Sequence, residues 1–341
     1  MMRRLGRIAV GVLLLCLLTP STSALGDDLR GCSTAPPVLQ MVERLDGADR
    51  YEVSAAVSAA TFPDPVPTVY VASGLTYADA LSGSAVVGAS GGPLLLLDGS
   101  DEAPPAVQGE LKRLKPQRIV VLGGLASVSK PLAQSMLEFA PEVSRVEGAD
   151  RYEVSAKIAG HYGDGNRVLY VASGEVFSDA LSASAPAGFW YAPVLLVKRD
   201  ELPASVVTAL LRMEFLERIV IVGGPATVSE SVQRELERFA PVERVFGHDR
   251  YSASAAASAH NYCPDRSVVY VASGEKFPDA LSGSAAAVER NGPVLLVSHD
   301  AISPEVDAEL RRLNPYRIVL LGGEATIDRS VELKLADYLR K

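Results

Sequence analysis

The sequence predicts an α/β protein built from three tandem parallel-sheet units in a pseudo-threefold arrangement. The pentapeptide YVASG stands at residues 70–74, 170–174 and 270–274, one hundred residues apart each time. Around it the tetrapeptide DALS (79–82, 179–182, 279–282), the pattern GxDRY (47–51, 148–152, 247–251) and an RI-apolar-GG block (118–124, 218–224, 317–323) keep the same order. Helix-spaced and strand-like apolar segments alternate within each copy, which requires a parallel sheet with helices on its faces. The copies run over 43–143, 144–243 and 244–341, behind a segment 25–42, and leave no room for another domain. A period near one hundred is too long for a solenoid turn, so each copy is expected to be a small Rossmann-like domain.

The elements of the first copy follow in order. Val53, Ala56, Val57 and Ala60 fall at helical spacing, with Asp49 placed to cap that helix and Glu52 three residues on. The β-branched and aromatic run 68–72 reads as a buried strand whose exit turn is Ser73 and Gly74. A small-residue helix (79–89), a second strand (93–97), an amphipathic helix (105–114), a third strand (118–122) and a last helix (129–139) complete the unit. Segments 143–146 and 242–245 add an edge strand before the next copy. None follows the third copy, and 42–45 supplies the first, an offset that suits three sheets closing around an axis. Ala80, Ser82, Gly83, Ser84 and Ala85 are small enough to let another backbone come close. The helices that begin at Asp79, Asp179 and Asp279 are therefore expected to form the contact between copies.

The N-terminus reads as a secretory signal peptide over 1–24. Arg3, Arg4 and Arg7 precede an apolar run at 8–18, then Pro20 and small residues ending at Ala24. That run is shorter than the roughly twenty residues a spanning helix needs, and no later stretch reaches that length. The expectation is an exported protein of the cell wall or surface, free of the membrane after cleavage. Cys16 lies inside the apolar run with leucines after it, a poor position for lipid modification. The formal net charge is −8; cleavage removes three arginines and no acid, leaving 30 basic against 41 acidic residues, net −11. Such a surface disfavours nucleic acid, and an anionic ligand must be held at local sites. Cys32 and Cys263 remain after cleavage and are expected to pair in an oxidising compartment. Closing so long a loop contributes on the order of 4–5 kcal/mol in the entropic picture.

Several residue sets compete as sites. Arg50, Arg151 and Arg250 of the DRY trios could present planar forks to a phosphate or carboxylate; the alternative is a capped helix start, with Ser252 in place of glutamate breaking the capping pattern in the third copy. The glycine pairs that begin at Gly123, Gly223 and Gly322 sit between strand and helix, where free amides favour an anion, or simply make tight turns. Asp79, Asp179 and Asp279 occupy first helical turns and are assigned to structure or to pairing with the arginines. Phe189, Trp190 and Tyr191 are read as packing. The GxSxG string at 88–92 ends a helix instead of following a strand, so it is no hydrolase elbow. His161, His248, His260 and His299 occupy unrelated repeat positions. They compose neither a zinc set nor a base paired with a nucleophile, so neither metal nor cofactor is expected.

Together the GxDRY, YVASG, DALS, P-[LV]-LL and GG blocks resemble the cell-wall-binding repeat type 2 family of Gram-positive surface proteins. The resemblance implies a compact pseudo-trimeric module that holds a protein non-covalently on anionic wall polymers such as teichoic-acid-like glycans. It implies a monomer with an internal pseudo-trimer and no catalytic residue. The polymer contact proposed in that family falls here on Pro93, Leu94, Leu95 and Leu96, on Pro193, Val194, Leu195 and Leu196, and on Pro293, Val294, Leu295 and Leu296. From the residues alone the same segments read as buried strands entered through proline. Members often carry an effector domain, sometimes an amidase, and none is visible here. The alternatives are a peptidoglycan hydrolase of the N-acetylmuramoyl-L-alanine amidase type and a structural surface-layer subunit.

Overall fold

The computed structural model describes residues 40–162 and 165–341. The signal peptide expected over 1–24 and Cys32 lie outside the described residues, while Cys263 is disulfide-bonded. The first copy runs β1 (Met41–Leu45), α1 (Arg50–Thr61), β2 (Thr68–Ser73), α2 (Ala78–Ala89), β3 (Leu94–Leu97), α3 (Pro105–Leu114), β4 (Arg118–Leu122), α4 (Lys130–Ser135) and β5 (Glu142–Val146). The second runs α5 (Arg151–Gly160), β6 (Val168–Ser173), α6 (Phe177–Phe189), β7 (Val194–Val197), α7 (Ala204–Leu210), β8 (Arg218–Val222), α8 (Glu230–Leu236) and β9 (Val242–Val245). The third runs α9 (Arg250–Asn261), β10 (Val268–Ser273), α10 (Pro278–Glu289), β11 (Val294–Val297), α11 (Pro304–Leu313), β12 (Arg317–Leu321) and α12 (Arg329–Leu335). The helix expected over 129–139 is divided: α4 stops at Ser135 and a 3-10 turn, Met136–Glu138, finishes it.

Among the described residues all strand pairs are parallel, in three four-stranded sheets ordered β3-β2-β4-β5, β7-β6-β8-β9 and β11-β10-β12-β1. The third sheet takes its outer strand from the start of the first copy: Met41 to Leu45 register against Arg317 to Leu321. Arg44 bonds Glu332, and Arg317 pairs with Glu43, across that junction. β5 spans the expected division between copies one and two and hydrogen-bonds to β4.

Among the described residues the outer strands β3, β7 and β11 have one hydrogen-bonding edge free of strand partners, and the helix that opens each copy packs against it. Ser54, fully buried in α1, accepts the amide of Leu96 at 3.2 Å; Ser155 and Ser254 do the same for Leu196 and Leu296 at 3.1 and 3.0 Å. A buried amide left unpaired is costly, so one serine per copy satisfies the edge without another strand.

The small-residue helices α2, α6 and α10 pack against one another at the centre of the three copies. Leu81, Leu181 and Leu281 are fully buried there, each worth about 1.5–3 kcal/mol over exposure. A Cβ on Gly88 would lie 2.4 Å from the Cβ of Val288, so only glycine admits α10 at that distance. The Ser184 hydroxyl reaches Leu81 O at 3.1 Å, and Ser84 reaches Leu281 O at 3.3 Å, linking the helices through backbone carbonyls.

Candidate functional site

The exit loops of β2, β6 and β10 converge at the strand C-terminal end of this central bundle. Each YVASG serine turns its chain: Ser73, Ser173 and Ser273 accept the amides of Leu75, Glu175 and Glu275 at 3.1 Å. The turns bring Tyr77, Phe177 and Phe277 together as a triangle with ring centroids 5.7–6.2 Å apart, tilted or edge-on. Such geometry is favoured by the ring quadrupoles.

Arg151 and Arg250 flank the triangle, and Arg50 holds the equivalent repeat position. Asp49 caps α1 by accepting the amides of Tyr51 and Glu52, Asp150 caps α5 by accepting those of Tyr152 and Glu153, and Asp249 caps α9. The third copy corrects the expectation for Ser252: it completes a reciprocal capping box, accepting from the Asp249 amide at 3.1 Å. In the first two copies the longer glutamates overshoot to the preceding amides, Glu52 to Ala48 and Glu153 to Ala149, both at 2.8 Å.

These caps fix the first helical turn, and the arginine side chains extend from it to the loop carbonyls. Arg50 donates to Gly74 O at 2.5 Å, and Arg151 and Arg250 donate to Gly174 O and Gly274 O. The Arg151 guanidinium lies 5.4 Å from the Tyr77 ring centroid and that of Arg250 5.5 Å from Phe177, so each reaches the aromatic of the preceding copy. Tyr77 also donates to Gly174 O at 3.0 Å, across the same junction.

Asp79, Asp179 and Asp279 lie beneath the glycine pairs. Ser127 donates to Asp79 at 3.0 Å, and Thr227 and Thr326 hold the same place beside Asp179 and Asp279. Burial pushes all three carboxyls above their ordinary value, and the hydroxyls and one arginine each oppose that shift. The arginines run in a cycle: Arg151 acts on Asp79, Arg250 on Asp179 and Arg50 on Asp279. A Cβ on Gly123, whose φ is +108°, would meet Asp79 Oδ2 at 2.4 Å. The pairs therefore make tight turns over a carboxylate, which opposes an anion at that point.

Pro93, Pro193 and Pro293 and the strand residues that follow them lie inside. Leu94, Leu95 and Leu96 are at most 1 % exposed, as are Val194, Leu195, Leu196, Leu295 and Leu296, and Val294 is 5 % exposed. The packing reading describes where these side chains sit. Phe189 packs on Tyr262 at 5.2 Å and Trp190 is half-buried, whereas Tyr191 is 68 % exposed, apart from the packing expected of it. Among the described residues no group of three or more His, Cys, Asp or Glu is arranged to hold a metal, and no helix is long and apolar enough to cross a membrane.

Two sets escaped the sequence reading. The aromatics stand two residues before each DALS aspartate, a regularity hidden by the exchange of Tyr for Phe. Arg44, Arg145 and Arg244 stand three residues before each GxDRY glycine; their guanidinia donate at 2.8 Å to Gly322 O, Gly123 O and Gly223 O and pin the glycine turns.

Comparison with known proteins settles what this constellation belongs to. Cell wall binding domain 2 (CWB2) matches the chain three times, over residues 44–133, 145–233 and 244–332. The chain belongs to the CWB2 family. It is 26 % identical over 297 residues to the amidase enhancer of Bacillus subtilis (strain 168), covering 87 % of this chain and 40 % of that protein. It is 24 % identical over 299 residues to the N-acetylmuramoyl-L-alanine amidase LytC of the same organism, covering 86 % of this chain and 58 % of LytC. Among solved structures, Cwp6 from Clostridium difficile superposes with a TM-score of 0.82 at 26 % identity, over 94 % of this chain and 50 % of Cwp6. Cwp8 from the same organism gives 0.79 at 26 % identity, over 89 % and 52 %. The chain thus spans about half the length of these relatives, and the CWB2 matches ally it with cell-wall binding.

Proposed function

We propose that the protein is an exported, non-catalytic wall-binding protein, attached non-covalently to an anionic wall glycopolymer through three equivalent stations, one per CWB2 repeat. The observation that supports this is the cyclic set of Arg50, Arg151 and Arg250. Each is held by a loop carbonyl, Arg151 and Arg250 lie over rings of one aromatic triangle, and Arg50 acts on Asp279 beside it. A guanidinium has five donors in a planar fork, and the loop carbonyl occupies part of that set. The remainder suits a phosphate or carboxylate. On a protein of net negative charge these are the local cationic points that a polyanion needs. Three weak stations engaging one repeating polymer gain affinity by avidity, which gives the repetition a purpose. The PLLL and PVLL strands act here as scaffold beneath the stations.

The test is co-sedimentation of the mature protein with purified walls, before and after the anionic polymer is stripped. The parent should pellet only with polymer-bearing walls. Arg50→Gln, Arg151→Gln and Arg250→Gln should each weaken retention, and the triple variant should lose it while its circular dichroism is unchanged. Equal retention on stripped walls removes the polymer from the account. Clearing of a peptidoglycan zymogram would replace attachment by hydrolysis, the activity that LytC's name carries for LytC.

A further inference from the structure

The three copies meet along three equivalent seams, in which the sheet of one copy faces the helix that opens the next: α5, α9 and α1 in turn. At each seam the residue capping the C-terminus of a central helix stands in the same place, and it differs every time: Ser90, Trp190 and Arg290. In the second seam the Trp190 indole fills the gap. Its Nε1 donates to Asn261 of α9 at 3.1 Å, the Arg218 guanidinium lies 5.2 Å from its ring, and Tyr170 beneath is fully buried and donates to the same Asn261 oxygen at 2.5 Å. In the third seam Arg290 donates to Thr61 O at 2.7 Å and Tyr270 is 2 % exposed.

The first seam stays open. Ser90 turns its hydroxyl onto its own helix, to Val86 O at 2.7 Å. Tyr70 is only half-buried, and Val120 is 8 % exposed where Val220 and Val319 are 0 % and 1 %. A cleft of about 590 Å³ remains, with Tyr70, Ser90, Arg118, Val120, Lys157 and His161 among its walls. That size lies within the range of small-ligand sites.

We propose that this cleft receives a planar aromatic side chain of indole size, carried by a partner polypeptide. The filled second seam is the template. Arg118 occupies the position from which Arg218 covers the indole, and Tyr70 that of Tyr170. Tyr162 takes the place of Asn261 at the end of the helix opposite, and its buried hydroxyl has no hydrogen-bond partner among the described residues. The floor is aliphatic, from Val86, Val120, Leu122 and Ile158. The cations of the walls are already matched, Arg118 with Glu142 at 3.0 Å, Lys157 with Glu153 at 2.8 Å, and Arg145 with Glu147 at 3.9 Å and Gly123 O at 2.8 Å. The cleft therefore selects a neutral ring with a polar N–H or O–H over an anion, and a stacked arginine adds a cation–π contact.

Calorimetry on the full mature chain tests this with N-acetyltryptophanamide as probe and N-acetylglucosamine as rival. The probe should bind at one saturable site. Ser90→Trp, which fills the cleft from within as Trp190 does next door, should weaken it by about tenfold or more and leave wall co-sedimentation unchanged. Arg118→Ala, on an exposed strand end, should weaken the probe without filling the cleft, and it keeps the test open if the tryptophan variant fails to fold. Absence of saturable binding, binding indifferent to both variants, or displacement of the probe by the sugar would overturn the proposal.

Discussion

Ser184 offers a direct measure of how tightly the three copies are joined. Its hydroxyl is fully buried and lies 2.7 Å from Ala180 O in its own helix and 3.1 Å from Leu81 O in α2. One O–H proton serves both, so Ser184→Ala removes about one hydrogen bond, roughly 0.5–1.5 kcal/mol. Ser184→Leu adds a branched side chain between two backbones already in contact and costs about 1–3 kcal/mol more through overpacking. With an unfolding entropy of about 2.1 cal/mol/K per residue over roughly 300 residues, 1 kcal/mol corresponds to about 1.6 °C. Calorimetric melting should then fall by about 1–2 °C for the alanine variant and several degrees for leucine. Ser84→Ala should resemble Ser184→Ala, since Ser84 also reaches a neighbouring copy, whereas Ser284 bonds Ala280 O within its own helix and should tolerate alanine best. A Ser184→Leu protein with the parent's midpoint would refute close packing between the copies. Loss of one transition with others unmoved would show that the copies unfold independently.

Three further outcomes follow from the same geometry. Arg145→Met removes the donor to Gly123 O and should cost about 1.5–3 kcal/mol in urea denaturation; an unchanged midpoint would mean that the glycine turn holds itself. Because burial raises Asp79, Asp179 and Asp279, the folded protein keeps protons that the unfolded chain releases. Their ionisation therefore weakens the fold at neutral pH, and the penalty disappears as pH falls through the raised folded values toward 3.8. The melting temperature of the triple Asp→Asn variant, relative to the parent, should be highest near neutrality and decline on acidification; a difference independent of pH would contradict the sign. Mass spectrometry of unreduced digests should recover a peptide joining Cys32 to Cys263, and a free thiol at Cys32 would exclude that pair.

Much of the architecture was legible because its causes are local. YVASG is strand followed by serine turn, Asp49 is a cap, and the small residues after Asp79 permit close helix approach; each property belongs to a few adjacent residues. The glycine pairs were ambiguous because the deciding fact, the Asp79 carboxylate beneath Gly123, comes from a residue some forty positions away. Tyr77, Phe177 and Phe277 gain meaning only when three exit loops meet, which no single copy displays. The capping box of α9 failed as a reading for another reason. The pattern rewards glutamate, but serine's shorter reach is what returns its oxygen to the Asp249 amide.

Closure of the ring explains how copies of one fold can carry both equivalent and unequal positions. Three copies strung in line would have two junctions and two free ends. Placing β1 beside β12 creates the third junction, so Arg50 acts on Asp279 as Arg151 and Arg250 act on Asp79 and Asp179. Every station at the strand ends is thus completed by the neighbouring copy, and conservative repetition there preserves all three. At the opposite ends of the central helices a single capping residue stands at each seam, Trp190 and Arg290 reaching across it and Ser90 not, and nothing about closure requires the three to match. Ser90, Trp190 and Arg290 differ at that position, so the symmetric end suits the repeating ligand proposed for it and the one open seam suits the singular ligand proposed there.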